Sequence, residues 1–238
     1  MVEPVPGAPA ATAELAGERA LLVADYHAGI EIALRYDGVE IDSRAAERRE
    51  RLLSLVSETD ADRVVVCGDL AHDIGRPAGE ERAELSELLD ALPVPLTLVR
   101  GNHDGDIEAA VDIDVRAGEG IRMGDVGFAH GHTWPGERAL SAETLCVGHE
   151  HPAVRIEDAV GGRRIERVWL RGDLDPDVFD VPVAATELVV MPAFNDLSGG
   201  TWVNVAGQTF LSPFLPEALV DGEAYLLDGT RLGAYDTV

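Results

Sequence analysis

From Arg19 onward, short apolar runs alternate with stretches of helical periodicity, the pattern of strands joined by crossover helices. Residues 20–24 (ALLVA), 63–67 (RVVVC) and 95–99 (PLTLV) are continuous apolar runs and predict strands buried on both faces. One helix follows Asp42-Ser43, either of which can cap it, and carries Leu52, Leu53 and Val56 on one face. A second covers about 80–92, with Leu85, Leu88, Leu89 and Leu92. After Arg116 the texture changes. Short β-like runs at 126–130, 144–148, 163–170, 187–191, 201–205 and 223–228, separated by Gly and Asp turns, predict a second, mainly antiparallel sheet. The stretch 1–18 is rich in Pro, Ala and Gly and is expected to form a mobile tail, which leaves 19–238 as a single domain.

Composition narrows the partners. The chain of 238 residues carries 44 acidic and 19 basic side chains, a net charge of −25, and every basic residue is Arg. Such a charge opposes non-specific attraction to nucleic acid or anionic lipid, which depends on cations displacing counterions. Long duplex DNA is therefore expected to bind weakly. A carboxylate-rich surface without Lys fits a salty cytoplasm, where screening relieves self-repulsion; a GC-rich codon preference is the other explanation. The two cysteines, Cys67 and Cys146, cannot form a disulfide framework and lie in apolar runs, as buried small hydrophobes do. No apolar stretch reaches the ~20 residues that span a bilayer, and no basic start precedes an apolar run, so a cytoplasmic location without membrane contact is expected. The dense basic stretches are Arg48, Arg49 and Arg51, and Arg163, Arg164 and Arg167. Neighbouring acids make both read as solvated faces, with contact to a phosphate backbone as the alternative.

The chemistry lies where the strands end. The first three run into Asp25-Tyr26-His27, Gly68-Asp69-Leu70-Ala71-His72 and Gly101-Asn102-His103-Asp104; later ones end in His130-Gly131-His132 and Gly148-His149-Glu150-His151. Ligands of open α/β sheets gather beyond the carboxyl ends of the strands, so the five segments converge on one crevice. They contain all seven histidines of the chain. Period-2 geometry is expected to turn Asp25 and His27 to one side, and His149 and His151 likewise. Carboxylate, amide oxygen and imidazole together suit Mn, Fe(II) or Zn better than a thiolate site or a calcium cage.

The order D-x-H, G-D-x-x-H, G-N-H-D, H-G-H, G-H-x-H resembles the calcineurin-like metallophosphoesterase family, whose fold is an α/β, four-layer αββα sandwich of two mixed sheets flanked by helices. Within it, Gly148 to Val154 and the later Met191 to Asn195 with Gly199-Gly200 resemble the archaeal SbcD-related and the bacterial ligase-associated phosphoesterases. The resemblance implies two divalent ions, most readily Mn. One would be held by Asp25, His27, Asp69 and His151, the other by Asp69, Asn102, His130 and His149, with Asp69 bridging. Hydroxide bridging the two ions would attack phosphorus. His103 would act at the leaving oxygen, oriented by Asp104, for which a turn or cap role is the alternative. His72 matches a histidine that the nuclease branch places near the scissile phosphate; supporting Asp69 is its other reading. His132 is second to His130 as a ligand, with exchanged roles as the alternative. Tyr26 replaces the Leu common in the first motif, which alters packing behind the ligands. The segment 191–200 reads as a turn that closes the sandwich edge or rims the cleft.

The implied activity is hydrolysis of phosphoric esters, diesters ahead of monoesters. A nuclease acting on DNA ends or single strands is the first alternative, and a non-catalytic scaffold organised by metal the second.

Overall fold

The computed structural model describes residues 1–157 and 161–238. Its first sheet grows from the predicted apolar runs. Strands β1 (Val2–Pro4), β2 (Ala11–Leu15), β3 (Glu18–Val23), β4 (Arg63–Val66), β5 (Leu96–Val99) and β6 (Asp114–Arg116) lie side by side in that order. β3 to β6 are parallel, with Val23 beside Val66 and Val66 beside Leu98; β1 and β2 add antiparallel strands at one edge. The crossovers are helices α1 (Ile30–Tyr36), α2 (Ala45–Glu58) and α3 (Gly79–Ala91). Leu21, Val23, Val64, Val66 and Leu98 meet Leu52, Leu55, Leu85 and Leu88 of the helices on the outer face. The alternate residues, Ala20, Leu22, Val65 and Cys67, face inward, as the pleat requires of a sheet covered on both sides. Leu55 replaces Leu53 on the buried stripe of α2, and the Ser43 hydroxyl accepts the N–H of Ala45 at 3.3 Å.

The second sheet contains β7 (Ile121–Met123), β8 (Val126–Ala129), β9 (Thr144–Val147), β10 (Ala153–Glu157), β11 (Arg163–Leu174), β12 (Glu187–Val190), β13 (Leu219–Leu226) and β14 (Arg231–Ala234). Its order is β14-β13-β11-β12-β9-β8-β7, with β10 paired to β11. The expectation of a mainly antiparallel sheet fails at its centre, because β8, β9 and β12 are mutually parallel. Short helix α4 (Glu137–Leu140) carries the chain from β8 back to the start of β9, a crossover too brief to show in the periodicity. Residues 201–205 form only an isolated bridge, Trp202 with Ala153. Phe128, Cys146, Trp169, Val189 and Met191 close against the first sheet to form the central core, and both cysteines are free and buried. The architecture is two mixed sheets with flanking helices.

The mobile-tail expectation for 1–18 is corrected. Val2, Ala8, Ala10, Ala11, Ala13 and Leu15 are buried, and Ala11 and Ala13 pair with Leu22 and Ala20. Alanine and proline carry a weak strand signal, yet small side chains allow this edge to pack closely against the second sheet. Among the described residues, no helix is long and apolar enough to cross a membrane.

Candidate metal centre

The five motif segments follow β3, β4, β5, β8 and β9, whose carboxyl ends point to one rim of the sandwich. Convergence arises differently from the period-2 expectation. Asp25 (φ 57°), His27 (φ 48°), Asp69 (φ 52°), His149 (φ 67°) and His151 (φ 45°) all adopt the left-handed conformation just beyond their strands. This costs roughly 1 kcal/mol or more per residue, and it persists because hydrogen bonds over-determine each turn. Asn195 Nδ2 donates to the Tyr26 and His27 carbonyls at 2.9 and 3.2 Å, and the N–H of His149 donates to the Asp25 carboxylate at 3.1 Å. Two glycines make the approach possible. A Cβ at Gly68 would overlap the His130 ring, and one at Gly101 would overlap the Asp69 carboxylate.

Three groups of donors result, with ligand atoms in each within 4.8 Å of one another: Asp25, His27 and His151; Asp69, His130 and His149; and His27, His72 and His103, which shares His27 with the first. The two groups that contain a carboxylate are the candidate cation sites. His151 Nε2 lies 3.1 Å from Asp25 Oδ1 and 3.4 Å from His27 Nε2. His130 Nε2 lies 3.3 Å from Asp69 Oδ2 and 3.1 Å from Asn102 Oδ1. Asp69 Oδ2 is also 3.9 Å from His27 Nε2, so this carboxylate reaches toward both groups. The outer ring nitrogens are tied back: His130 Nδ1 donates to the Cys67 carbonyl at 2.8 Å and His151 Nδ1 to the Gly199 carbonyl at 2.7 Å. That fixes the tautomer and leaves Nε2 aimed inward, the arrangement of ligating histidines. Converging lone pairs of two carboxylates, an amide oxygen and four imidazoles, with few donors among them, fit divalent cations.

Charge agrees with that fit. Burial raises the Asp25 carboxyl, but attraction and a hydrogen bond from His151, then His130, lower it further. Burial likewise raises Asp69, and His130 outweighs it, so both carboxyls stay ionised. Burial takes His27 down to about 3 and His149 down to about 4, so both are neutral near pH 7. His130 goes the other way. Burial lowers it, while its hydrogen bond and attraction to Asp69 lift it to about 9. Without a cation the site holds a proton where a cation would sit.

His72 and His103 stack at 5.4 Å beside the first group, and His72 Nδ1 lies 3.3 Å from His27 Nδ1. His72 therefore touches His27, not Asp69. His103 Nδ1 donates to the His72 carbonyl, and its Nε2 is 3.9 Å from Asp69 Oδ2. The expected orientation of His103 by Asp104 is overturned. Asp104 is wholly buried and accepts the backbone N–H groups of Asp69, Gly101 and Ala71 at 2.8, 2.8 and 3.0 Å. Its side chain points beneath the turns and shapes them, nearer to the turn role. His132 stays outside both groups, its ring 5.2 Å from that of His130.

The sequence reading missed the supports under these turns. Glu81 Oε1 accepts the N–H groups of His72 and Asp73 at 2.8 and 2.9 Å, and Glu84 Oε2 accepts that of Gly29 at 2.9 Å. Buried Arg48 joins Glu84 to Glu31 at 2.7 and 3.0 Å. The signal was available: Glu81 and Glu84 share one helical face with Leu85 and Leu88, where carboxylates need a partner. In the segment 191–200, Asn195 holds the first motif's turn and the Gly199 carbonyl accepts from His151 Nδ1.

A family model described as calcineurin-like phosphoesterase matches residues 19–153. Among solved structures, the nuclease MPE of Pseudomonas putida is similar over 96% of this chain and 98% of its own, with TM-score 0.57 and 21% identity. The phosphoesterase Yfce of E. coli covers 90% and 96%, with TM-score 0.43 and 16% identity. A search of curated protein sequences returns no match. The family model spans more than half of the chain and every motif that builds the two donor groups, and so the chain belongs to the calcineurin-like phosphoesterases.

Proposed function

We propose that the protein hydrolyses phosphodiesters with two divalent cations, manganese foremost, held by Asp25, His27, Asp69 and His151 and by Asp69, Asn102, His130 and His149. The observation that carries this is the pair of donor groups in one crevice with Asp69 reaching toward both. When bound, the ions supply Lewis acidity that activates a water and neutralises charge on the phosphoryl oxygens. The remaining work falls to the chain. Asp69 and Asn102 fix the spacing of the two groups. The backbone carbonyl of His72 holds the His103 ring through Nδ1, so that Nε2 can deliver a proton to the leaving oxygen. His72, stacked on His103, contacts the phosphate. It is also the position at which the motif set resembles the nuclease branch, which supports diesters over monoesters. Substrates are short, because a charge of −25 works against retaining a long duplex. The enzyme works in a salty cytoplasm.

The test is hydrolysis of bis-p-nitrophenyl phosphate and p-nitrophenyl phosphate with Mn added or stripped. Mn-dependent cleavage, stronger on the diester, is expected. In metal analysis, Asp69→Asn is expected to lose both equivalents and His27→Ala mainly one. No metal-dependent cleavage of either compound would overturn the reading, and a monoester preference would overturn its substrate class.

A further inference from the structure

The two arginine-dense stretches lie far apart in sequence, on α2 and β11, and most of their members are spoken for. Arg48 is buried between Glu31 and Glu84, Arg49 pairs with Glu87 at 2.6 Å, Arg163 with Glu157 at 3.1 Å and Arg164 with Glu166 at 3.6 Å. Among the described residues, no carboxylate forms an ion pair with Arg51 or Arg167. These two meet across one residue. The Arg51 guanidinium lies 5.2 Å from the Phe194 ring centroid, and Arg167 Nη1 donates to the Ala193 carbonyl at 2.8 Å and weakly to that of Phe194 at 3.4 Å.

Two half-buried guanidinium groups on one short segment are an unusual expense in a chain with 44 carboxylates. Burial depresses both, and Arg51 depresses Arg167 further. Guanidinium keeps its proton regardless, so like charges stay close together, partly out of water. Asp196 faces both and Glu166 faces Arg167, and these carboxylates are engaged by Arg44 at 3.1 Å and by Arg164 at 3.6 Å. The pair of Arg44 with Asp196 is about half exposed on both sides, and exposed pairs contribute little, so an arriving anion can displace Asp196. A cleft of about 140 Å³ is lined by Arg44, Arg48 and Arg51 together with the carboxylates of Glu47 and Asp196, while Arg167 lies outside the lining at the Ala193 and Phe194 carbonyls.

The cleft is one segment away from the metal centre. The peptide whose carbonyls Arg167 holds anchors the first motif, since Phe194 N–H donates to the Ala24 carbonyl at 2.8 Å and Asn195 N–H to that of Asp25 at 3.1 Å. Arg167 also pairs across β10 and β11 with Ala153, two residues beyond His151. A simple diester carries one phosphorus, which the metal centre would take, whereas an oligonucleotide carries further phosphates for a neighbouring cationic cleft.

We infer that Arg51 and Arg44, with the charge of Arg167 close behind Phe194, form an anion subsite that holds a non-scissile phosphate of a short single-stranded oligonucleotide cleaved at the neighbouring centre. The inference rests on the phosphodiesterase reading above and names its substrate class. Planar, always-charged guanidinium groups suit phosphate recognition, and Phe194 beneath Arg51 holds one of them in place.

The experiment compares kcat/KM on a short single-stranded DNA with that on bis-p-nitrophenyl phosphate, which has no second phosphate. Arg51→Gln is the first variant, because Arg167 also secures the 193–194 carbonyls. Its kcat/KM is expected to fall roughly tenfold more on the oligonucleotide than on the small diester, with the difference in KM. The slope of log KM against log salt should lessen by about 0.7 for the lost contact, and Arg51→Lys should restore much of it. Equal losses on both substrates, or an unchanged salt slope, would overturn the subsite. Cleavage of bis-p-nitrophenyl phosphate without cleavage of the oligonucleotide overturns the subsite alone; cleavage of neither overturns the phosphodiesterase reading with it.

Discussion

The backbone N–H of His103 donates to Asp69 Oδ1 at 2.9 Å while the ring of the same residue places Nε2 3.9 Å from Asp69 Oδ2. The carboxylate that reaches toward both donor groups thus also sets the position of the histidine proposed to protonate the leaving oxygen. His103→Ala keeps the backbone contact and is expected to retain metal and fold while losing roughly 10² to 10⁴ in turnover. The loss should shrink as the leaving group becomes more acidic. A plot of log kcat against leaving-group pKa, steeper in the variant than in the wild type, checks this; parallel lines would remove His103 from the acid role.

Asp104 makes a contrasting prediction. Its carboxylate collects three backbone N–H groups from the Asp69 and Gly101 turns, and burial followed by repulsion from Asp69 raises its pKa to about 6. Asp104→Asn offers one oxygen where two are used and leaves at least one buried N–H without its acceptor. Chemical denaturation is expected to show a loss of about 1.5–3 kcal/mol. Leaving-group dependence should match that of the wild type, because the His103 ring is held by His72; a changed dependence would return Asp104 to the role of orienting His103.

How far the sequence reaches can be argued from particular residues. Asp25, His27, Asp69, Asn102, His103, His130, His149 and His151 were legible because strand-terminal position and ligand chemistry coincide in each motif. The direction of Asp104 was not, since a side chain beside an imidazole in sequence can turn beneath the loop instead. β1 and β2 were hidden by alanine and proline, whose burial depends on the partner sheet and not on their own propensity. The parallel centre of the second sheet was hidden because α4 is only four residues long. Arg51 and Arg167 looked alike with their neighbours until tertiary pairing separated those with a glutamate from those without.

Protons and cations compete at His130. In the cation-free site Asp69 holds this imidazole protonated up to about 9, whereas His27 and His149, at about 3 and 4, have already lost their protons. His151 is raised as well, since Asp25 outweighs burial there. Cation binding must then expel the proton from His130. Mn affinity is expected to climb with pH through neutrality and flatten above about 9, with proton release in calorimetry across buffers of different ionisation enthalpy. Asp69→Asn removes the principal attraction on His130 and should diminish that release. Mn binding with no proton release near neutrality would contradict the assignment of His130 as a ligand.

Salt acts on two opposing quantities. Exposed ion pairs such as Arg35 with Glu80 and Arg116 with Asp114 weaken as salt rises, at no more than about 1 kcal/mol each. Self-repulsion among 44 carboxylates against 19 arginines weakens too, and that stabilises the folded chain. The second effect should win, because most exposed acids have no arginine to lose and the strongest network, Arg48 with Glu31 and Glu84, is buried where salt does not screen it. Tm is therefore expected to rise steadily with KCl from dilute buffer toward the molar range. Arg48→Ala should lower Tm by a similar amount at every salt concentration, its roughly 3–5 kcal/mol cost coming from carboxylates left buried without a partner. A Tm that is flat in KCl would mean that the acidity reflects codon preference, and a salt-dependent effect of Arg48→Ala would mean that its network is not sealed from solvent.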